Sequence, residues 1–136
     1  MKIAEVKYLG ELRTQATHLP SGMVLQTDAP KDNQGKGEAF SPTDLMSTSL
    51  ASCMLTIMGI ASKTHQINIE GTRCEVEKYM ASQPRSVEKI IISLYMPDFP
   101  YSEKHKEILE KAARTCPVSL SLSEKLSQEL HFHWPQ

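Results

Sequence analysis

An α+β fold is predicted for this chain by three features of its sequence. Residues 2 to 28 alternate between apolar and polar as strands do. A long apolar stretch then follows a helix-start signal at Ser41, and two more alternating stretches precede a second segment of helical period. The resulting order is βββ–α–ββ–α–β.

In "KIAEVKYL" and "ELRTQATH" the alternation is interrupted by Gly10, and "LPSG" turns the chain into "MVLQTDA". The polar, glycine-rich "PKDNQGKGEAF" is a loop by composition. Ser41 fits the N-cap of the central helix, Pro42 its first position, and Asp44 closes an acidic variant of the capping box. From Pro42 to about Ser62 the residues are apolar on more than one side, and the remaining positions are small, which predicts a helix surrounded by protein. "INIEGTRCEVEKYM" and "SVEKIIISLYM" read as two long strands joined near "ASQPR". Ser102 can cap a second helix, whose Tyr101, His105, Ile108, Leu109, Ala112, Ala113 and Cys116 share one stripe. Pro117 ends or restarts that helix, a short helix follows, and "QELHFHW" is the last strand.

The chain has 136 residues, the length of a single domain spanning 1–136, and at this size it buries roughly 65–70% of its unfolded surface. Apolar residues are 40% and charged residues 23%, with a net charge of −1, so neither nucleic acid nor an anionic membrane is an expected partner. No uninterrupted apolar run reaches the ~18 residues of a membrane span. The first residues alternate like a strand and lack the apolar segment of a signal peptide, which sets the expectation of a cytoplasmic protein. Three cysteines in that compartment do not form a disulfide framework.

Each cysteine is judged by context. Cys53 sits in the central helix, where most thiols are small buried hydrophobes. A reactive thiolate there needs nearby positive charge. The helix dipole acts mainly in the first turn, and Cys53 lies ~16 Å from the helix start. The cation must therefore come from elsewhere, with Arg13 the leading candidate. Cys116 precedes Pro117 and can cap the short helix, where the dipole does favour a thiolate. Both lie on helix faces expected to point inward, which allows them to be neighbours. Cys74 shares a strand face with Thr72 and Val76 and reads as packing. "GKGEAF" lacks the spacing of a phosphate-binding loop, and His131 and His133 have no further ligand spaced to make a zinc site, so no metal or cofactor is expected.

"FSPTDLMSTSLASCM" around Cys53, Ile67–Gly71 after it, and "CPVSLSL" from Cys116 together resemble the OsmC/Ohr family of thiol-dependent peroxidases, as does the element order over nearly the whole chain. The resemblance implies an intertwined homodimer with long central helices between sheets and active sites at the subunit interface. It implies that Cys53 attacks a small organic or related hydroperoxide and becomes a sulfenic acid. Cys116 then condenses with it to a disulfide, which an external dithiol, a lipoyl-type one included, reduces. It assigns to Arg13 the orientation and stabilisation of the thiolate. Family peroxidases usually carry glutamate directly after the proline that opens this helix, paired with the arginine. Thr43 stands there, leaving Asp44 and Glu38 as possible acidic partners. Met46, Leu50 and Met54 could wall an apolar pocket or belong to the core. Two alternatives use the same residues: an OsmC-like protein that binds a small ligand at the interface pocket without peroxidase activity, and a thiol redox sensor.

Overall fold

The alternating first 28 residues form a three-stranded antiparallel sheet, β1 (Ala4–Gly10), β2 (Arg13–His18) and β3 (Val24–Asp28). A computed structural model describes all residues from 1 to 136 and divides them into two compact units, Met1–Met46 and Ser47–Gln136. Only Glu11 and Leu12 separate β1 from β2, and both have positive φ, as a tight two-residue hairpin requires. In this sheet Val6, Ala16 and Leu25 are registered opposite one another, and so are Tyr8, Thr14 and Thr27. These residues share one face, since side chains alternate along a strand. Val6 and Tyr8 are each 64% exposed and Leu25 40%.

The polar loop holds a short 3₁₀ turn, Lys31–Asn33, which composition did not signal. Its return requires a glycine: a Cβ at Gly35 would lie 1.8 Å from the carbonyl oxygen of Ala29. Ser41 and Asp44 form the predicted capping box, with Asp44 N–H donating to Ser41 Oγ and Ser41 N–H to Asp44 Oδ2, both at 3.0 Å.

The helix they start, α1 (Pro42–His65), runs three residues beyond the expected end. Its buried residues are Ser47, Leu50, Ala51, Met54, Met58 and Ser62, a single stripe at helical spacing. Within a single chain α1 is covered along this stripe. Leu55 and Ile57 are half-buried within the chain and Ile60 is 59% exposed. By length and composition alone α1 reaches the measure of a membrane span, at 24 residues and a mean hydropathy of 1.5, although no unbroken apolar run does. A core helix meets the same measure.

Gln66 in the left-handed conformation (φ 57°) stops α1, with Ile67 N–H donating to the Ser62 carbonyl. The next strand was expected from Ile67 but begins at Arg73. Before it the chain turns, closed by Thr72 N–H on the Ile69 carbonyl and by Gly71 at φ 92°. The second sheet has the order β4 (Arg73–Ser82), β5 (Arg85–Tyr95), β6 (Ser127–His133). β4 and β5 form the predicted hairpin, whereas β6 runs parallel to β5. A parallel neighbour needs a crossover, and α2 (Glu103–Arg114) and α3 (Pro117–Ser121) supply it. Ser102 caps α2, and the ring of His105 takes the place of the usual glutamate in its capping box.

Ile90, Ile92 and Leu94 of β5, Leu50, Met54 and Met58 of α1, and Leu109 of α2 have no exposed surface and form the core of the second unit. Ile92→Ala is expected to lower unfolding free energy by about 3 kcal/mol, through lost burial and the cavity left behind. The exposed Glu88→Ala change stays within about 0.5 kcal/mol. Urea denaturation of both variants checks the contrast.

A candidate thiol pair and an arginine–carboxylate cluster

Two of the three cysteines meet. Cys53 projects half-buried from the middle of α1 and is a neighbour of Cys116, near enough to act on its thiol. Cys116 is fully buried and is the N-cap of α3, its sulfur accepting the Ser119 N–H at 3.3 Å. Pro117 at the first helical position suits a helix start, because its missing N–H would have had no partner there. Burial pushes the Cys116 thiol above its ordinary value, and the neighbouring Cys53 pushes the same way. The N–H groups of Ser119 and Val118 act in the opposite direction. All three thiols are free.

Arg13, at the start of β2, is registered directly opposite Asp28 at the end of β3. Its Nε donates to Asp28 Oδ1 at 2.7 Å and its Nη2 to Asp28 Oδ2 at 3.0 Å, a two-pronged contact that fixes the guanidinium plane. Nη2 also donates to Glu38 Oε1 at 2.8 Å. The Asp28 side chain has no exposed surface, that of Arg13 is 24% exposed and that of Glu38 66%. Asp28 further accepts the Glu38 N–H at 3.0 Å, so one carboxylate holds both the arginine and the loop that brings Glu38. The hydrogen bonds from Arg13 hold the Asp28 carboxyl below its ordinary value, and those contacts raise Arg13 in turn.

Glu38 was anticipated as an acidic partner of Arg13; Asp28 was not. The signal available in the sequence was weak, a carboxylate closing the third strand just before the loop. Asp44 closes the capping box of α1, and the Thr43 hydroxyl shares a hydrogen bond with Ser41 Oγ at 3.3 Å. Leu50 and Met54 are fully buried and Met46 is half-buried. Cys74 lies half-buried opposite Leu94, as expected of strand packing, and lines a hollow of about 460 Å³ beside Ala51, Ser52 and Leu55 of α1. His131 lies 3.7 Å from Glu129, and the ring of His133 stacks on Tyr95 with centroids 4.5 Å apart.

An open groove of about 660 Å³ runs between α1 and α2. Ile57, Ala61 and Ile108 give it an apolar floor, and His65, Lys104 and Lys111 stand among its lining residues. Ile57 is one helical turn beyond Cys53, which places one end of the groove next to the thiol pair.

The sequence matches the family model of OsmC-like proteins over residues 35–131. A crystal structure from Psychrobacter arcticus, assigned to an osmotic stress induced and detoxification response, is 48% identical, with a TM-score of 0.94 and 98% of this chain and 96% of that one covered. An organic hydroperoxide resistance protein OsmC from Legionella pneumophila shares the fold at 16% identity, with a TM-score of 0.74 and 98% of each chain covered. One from Elizabethkingia anophelis does so at 15% identity and a TM-score of 0.74, covering 97% of this chain and 96% of its own. Among curated proteins none matches.

The depressed Asp28 carboxyl has a consequence for stability. A group lowered in the folded state contributes fully above its unfolded value, near 3.8, and the contribution is lost as pH falls through the folded value below that. Asp28→Asn is expected to destabilise the chain at neutral pH and to flatten the acid limb below about pH 4. Thermal melts of both proteins from neutral to acid pH measure the difference.

Proposed function

Since the chain belongs to the OsmC-like protein family, we propose that it is a thiol-dependent peroxidase that reduces organic hydroperoxides through Cys53 and Cys116. The observation that carries this reading is the meeting of two free thiols that are 63 positions apart in sequence. Their unequal exposure supports the division of roles. The half-buried Cys53 can be reached by a hydroperoxide, while Cys116 is shut away from it. The Cys53 thiolate attacks the terminal peroxide oxygen; the O–O bond breaks, the departing alkoxide takes up a proton to become the alcohol, and Cys53 becomes a sulfenic acid. Cys116 then displaces water from that sulfur to form a disulfide, and an external dithiol returns both to thiols.

Arg13 has the orienting role in this reading. Of the five N–H donors on its guanidinium, Nε and Nη2 spend three on the two carboxylates, leaving the Nη1 pair outside that cluster. Two carboxylates around one cation leave the cluster with a net negative charge. Arg13 therefore acts through directed hydrogen bonds more than through charge. Asp28 and Glu38 supply the carboxylates that Thr43 does not.

The reading includes a homodimer. A three-stranded sheet is stable only when one face is covered, and the Val6–Tyr8–Leu25 face of the first sheet lies open in the single chain. Ile60 on α1 is open too. A second copy would cover these surfaces. A second reading, a small-ligand protein without peroxidase activity, draws on the groove between α1 and α2, whose apolar floor is bordered by Lys104, Lys111 and Glu107 and suits an amphiphilic molecule.

With an organic hydroperoxide and a dithiol reductant, Cys53→Ser should abolish turnover, and unchanged consumption of hydroperoxide would refute the peroxidase. Cys116→Ser should complete one turnover and then gain sulfinic acid at Cys53, read as added oxygen by mass spectrometry. In solution the intact chain should have twice the 15.3 kDa mass of one copy by light scattering, and Val6→Glu should lower it.

A further inference from the structure

The turn that carries Cys116 is tied to β6 by a side chain with no part in the steps above. Ser119 makes three contacts there. Its N–H donates to Cys116 Sγ at 3.3 Å, its Oγ to Gln128 Oε1 at 2.6 Å, and its carbonyl accepts Gln128 Nε2 at 3.2 Å. Gln128 stands on β6 in register with the fully buried Ile90 of β5, on a strand hydrogen-bonded into the sheet. The residues that follow it at strand spacing are Leu130 and Phe132, so a half-buried amide interrupts an otherwise apolar row. Both ends of that amide are satisfied by Ser119.

At five residues, α3 is too short to hold its own shape, because a helix of one turn scarcely outweighs the cost of nucleation. Its geometry must be imposed from outside, and the Ser119–Gln128 pair ties α3 to the sheet through two hydrogen bonds. We infer that Gln128 is a positioning residue for the resolving thiol: by fixing Ser119 it holds the N–H that stabilises the Cys116 thiolate opposite Cys53. This rests on the roles proposed for the two cysteines.

In the resolving step the Cys116 thiolate attacks the sulfenic sulfur of Cys53. The S–S bond forms as the S–O bond breaks, and the departing hydroxide takes up a proton to become water. The hydroperoxide of the first step has supplied the oxidising equivalents. A buried thiol ionises reluctantly, so a donor aimed at its sulfur raises the fraction ready to attack. A donor on an untethered turn would not stay aimed.

The test isolates this step from peroxide chemistry. In the full-length Cys74→Ser protein, an aromatic disulfide that releases a coloured thiolate is attacked first by Cys53. Cys116 then displaces the second aromatic thiolate as the protein disulfide closes, so the two phases report the two cysteines separately. Gln128→Leu is expected to leave the first phase unchanged, slow the second about tenfold and move its pH dependence upward, the scale of one lost hydrogen bond. Gln128→Glu, which still accepts from Ser119 Oγ, should recover part of the rate, and Ser119→Ala should slow the second phase about threefold. The inference is overturned if the second phase keeps its rate and pH dependence in Gln128→Leu and Ser119→Ala. It is equally overturned if both are slowed with no change in pH dependence, as mere loosening would do. Should Gln128→Leu not fold, Ser119→Ala decides. No hydroperoxide is used, so a protein inert to hydroperoxides can still show the effect, and failure here leaves the hydroperoxide assay untouched.

Discussion

The nearness of the Cys53 and Cys116 thiols constrains every element that carries them. A disulfide tolerates only a narrow range of geometry, so two sulfurs on separate helices can exchange bonds only if both backbones are held. α1 is held by the Leu50–Met54–Met58 stripe, which has no exposed surface. α2 is held by Leu109 and Ala113, equally buried, and α3 follows it after a single residue pair, Thr115 and Cys116. The parallel placement of β6 then follows from the same crossover, because the chain must pass over the sheet through these helices before it can pair with β5.

The two cysteines have opposite surroundings. Cys53 is partly open and next to a groove; Cys116 is enclosed, raised by burial, and answered by backbone N–H groups at the start of a short helix. Such an asymmetry suits a proposed pair in which one sulfur meets the oxidant and the other waits. Enclosure protects the waiting sulfur from direct oxidation but also suppresses its anion, so a local donor is needed. That need gives the tie between α3 and β6 a chemical use beyond stability.

In the first unit, β-sheet register does the corresponding work. Arg13 and Asp28 are direct cross-strand partners, and the backbone of Glu38 is drawn to the same carboxylate. A fully buried carboxylate is tolerable only when charge and hydrogen bonds compensate it, and Arg13 with the Glu38 N–H provides both. The side chain of Glu38 remains mostly exposed, so Asp28 is the fixed partner and Glu38 the solvated one. The apolar face of this sheet, open within one chain, fits the proposed association of two copies.

Local chemistry made most elements legible from sequence. Ser41, Pro42 and Asp44 mark the start of α1, Ser102 that of α2, and Cys116–Pro117 that of α3, because capping is decided by residues a few positions apart. Strand alternation likewise located both sheets. Where sequence failed, the deciding contact was distant or conformational. Ile67–Thr72 has the composition of a strand, yet the left-handed Gln66 and the turn at Gly71 delay the strand to Arg73. The apolar surround of α1 promised burial on several sides, but which side is covered depends on neighbours that composition cannot name. Asp28 stood unremarked because its partner lies fifteen residues upstream and is brought opposite only by hairpin register. The sequence by itself determined the elements, their caps and the two cysteines worth watching. Only the tertiary structure decided that their sulfurs meet, that Asp28 holds Arg13 and that Gln128 holds Ser119, because each of those contacts spans residues that only strand pairing or helix packing can bring together.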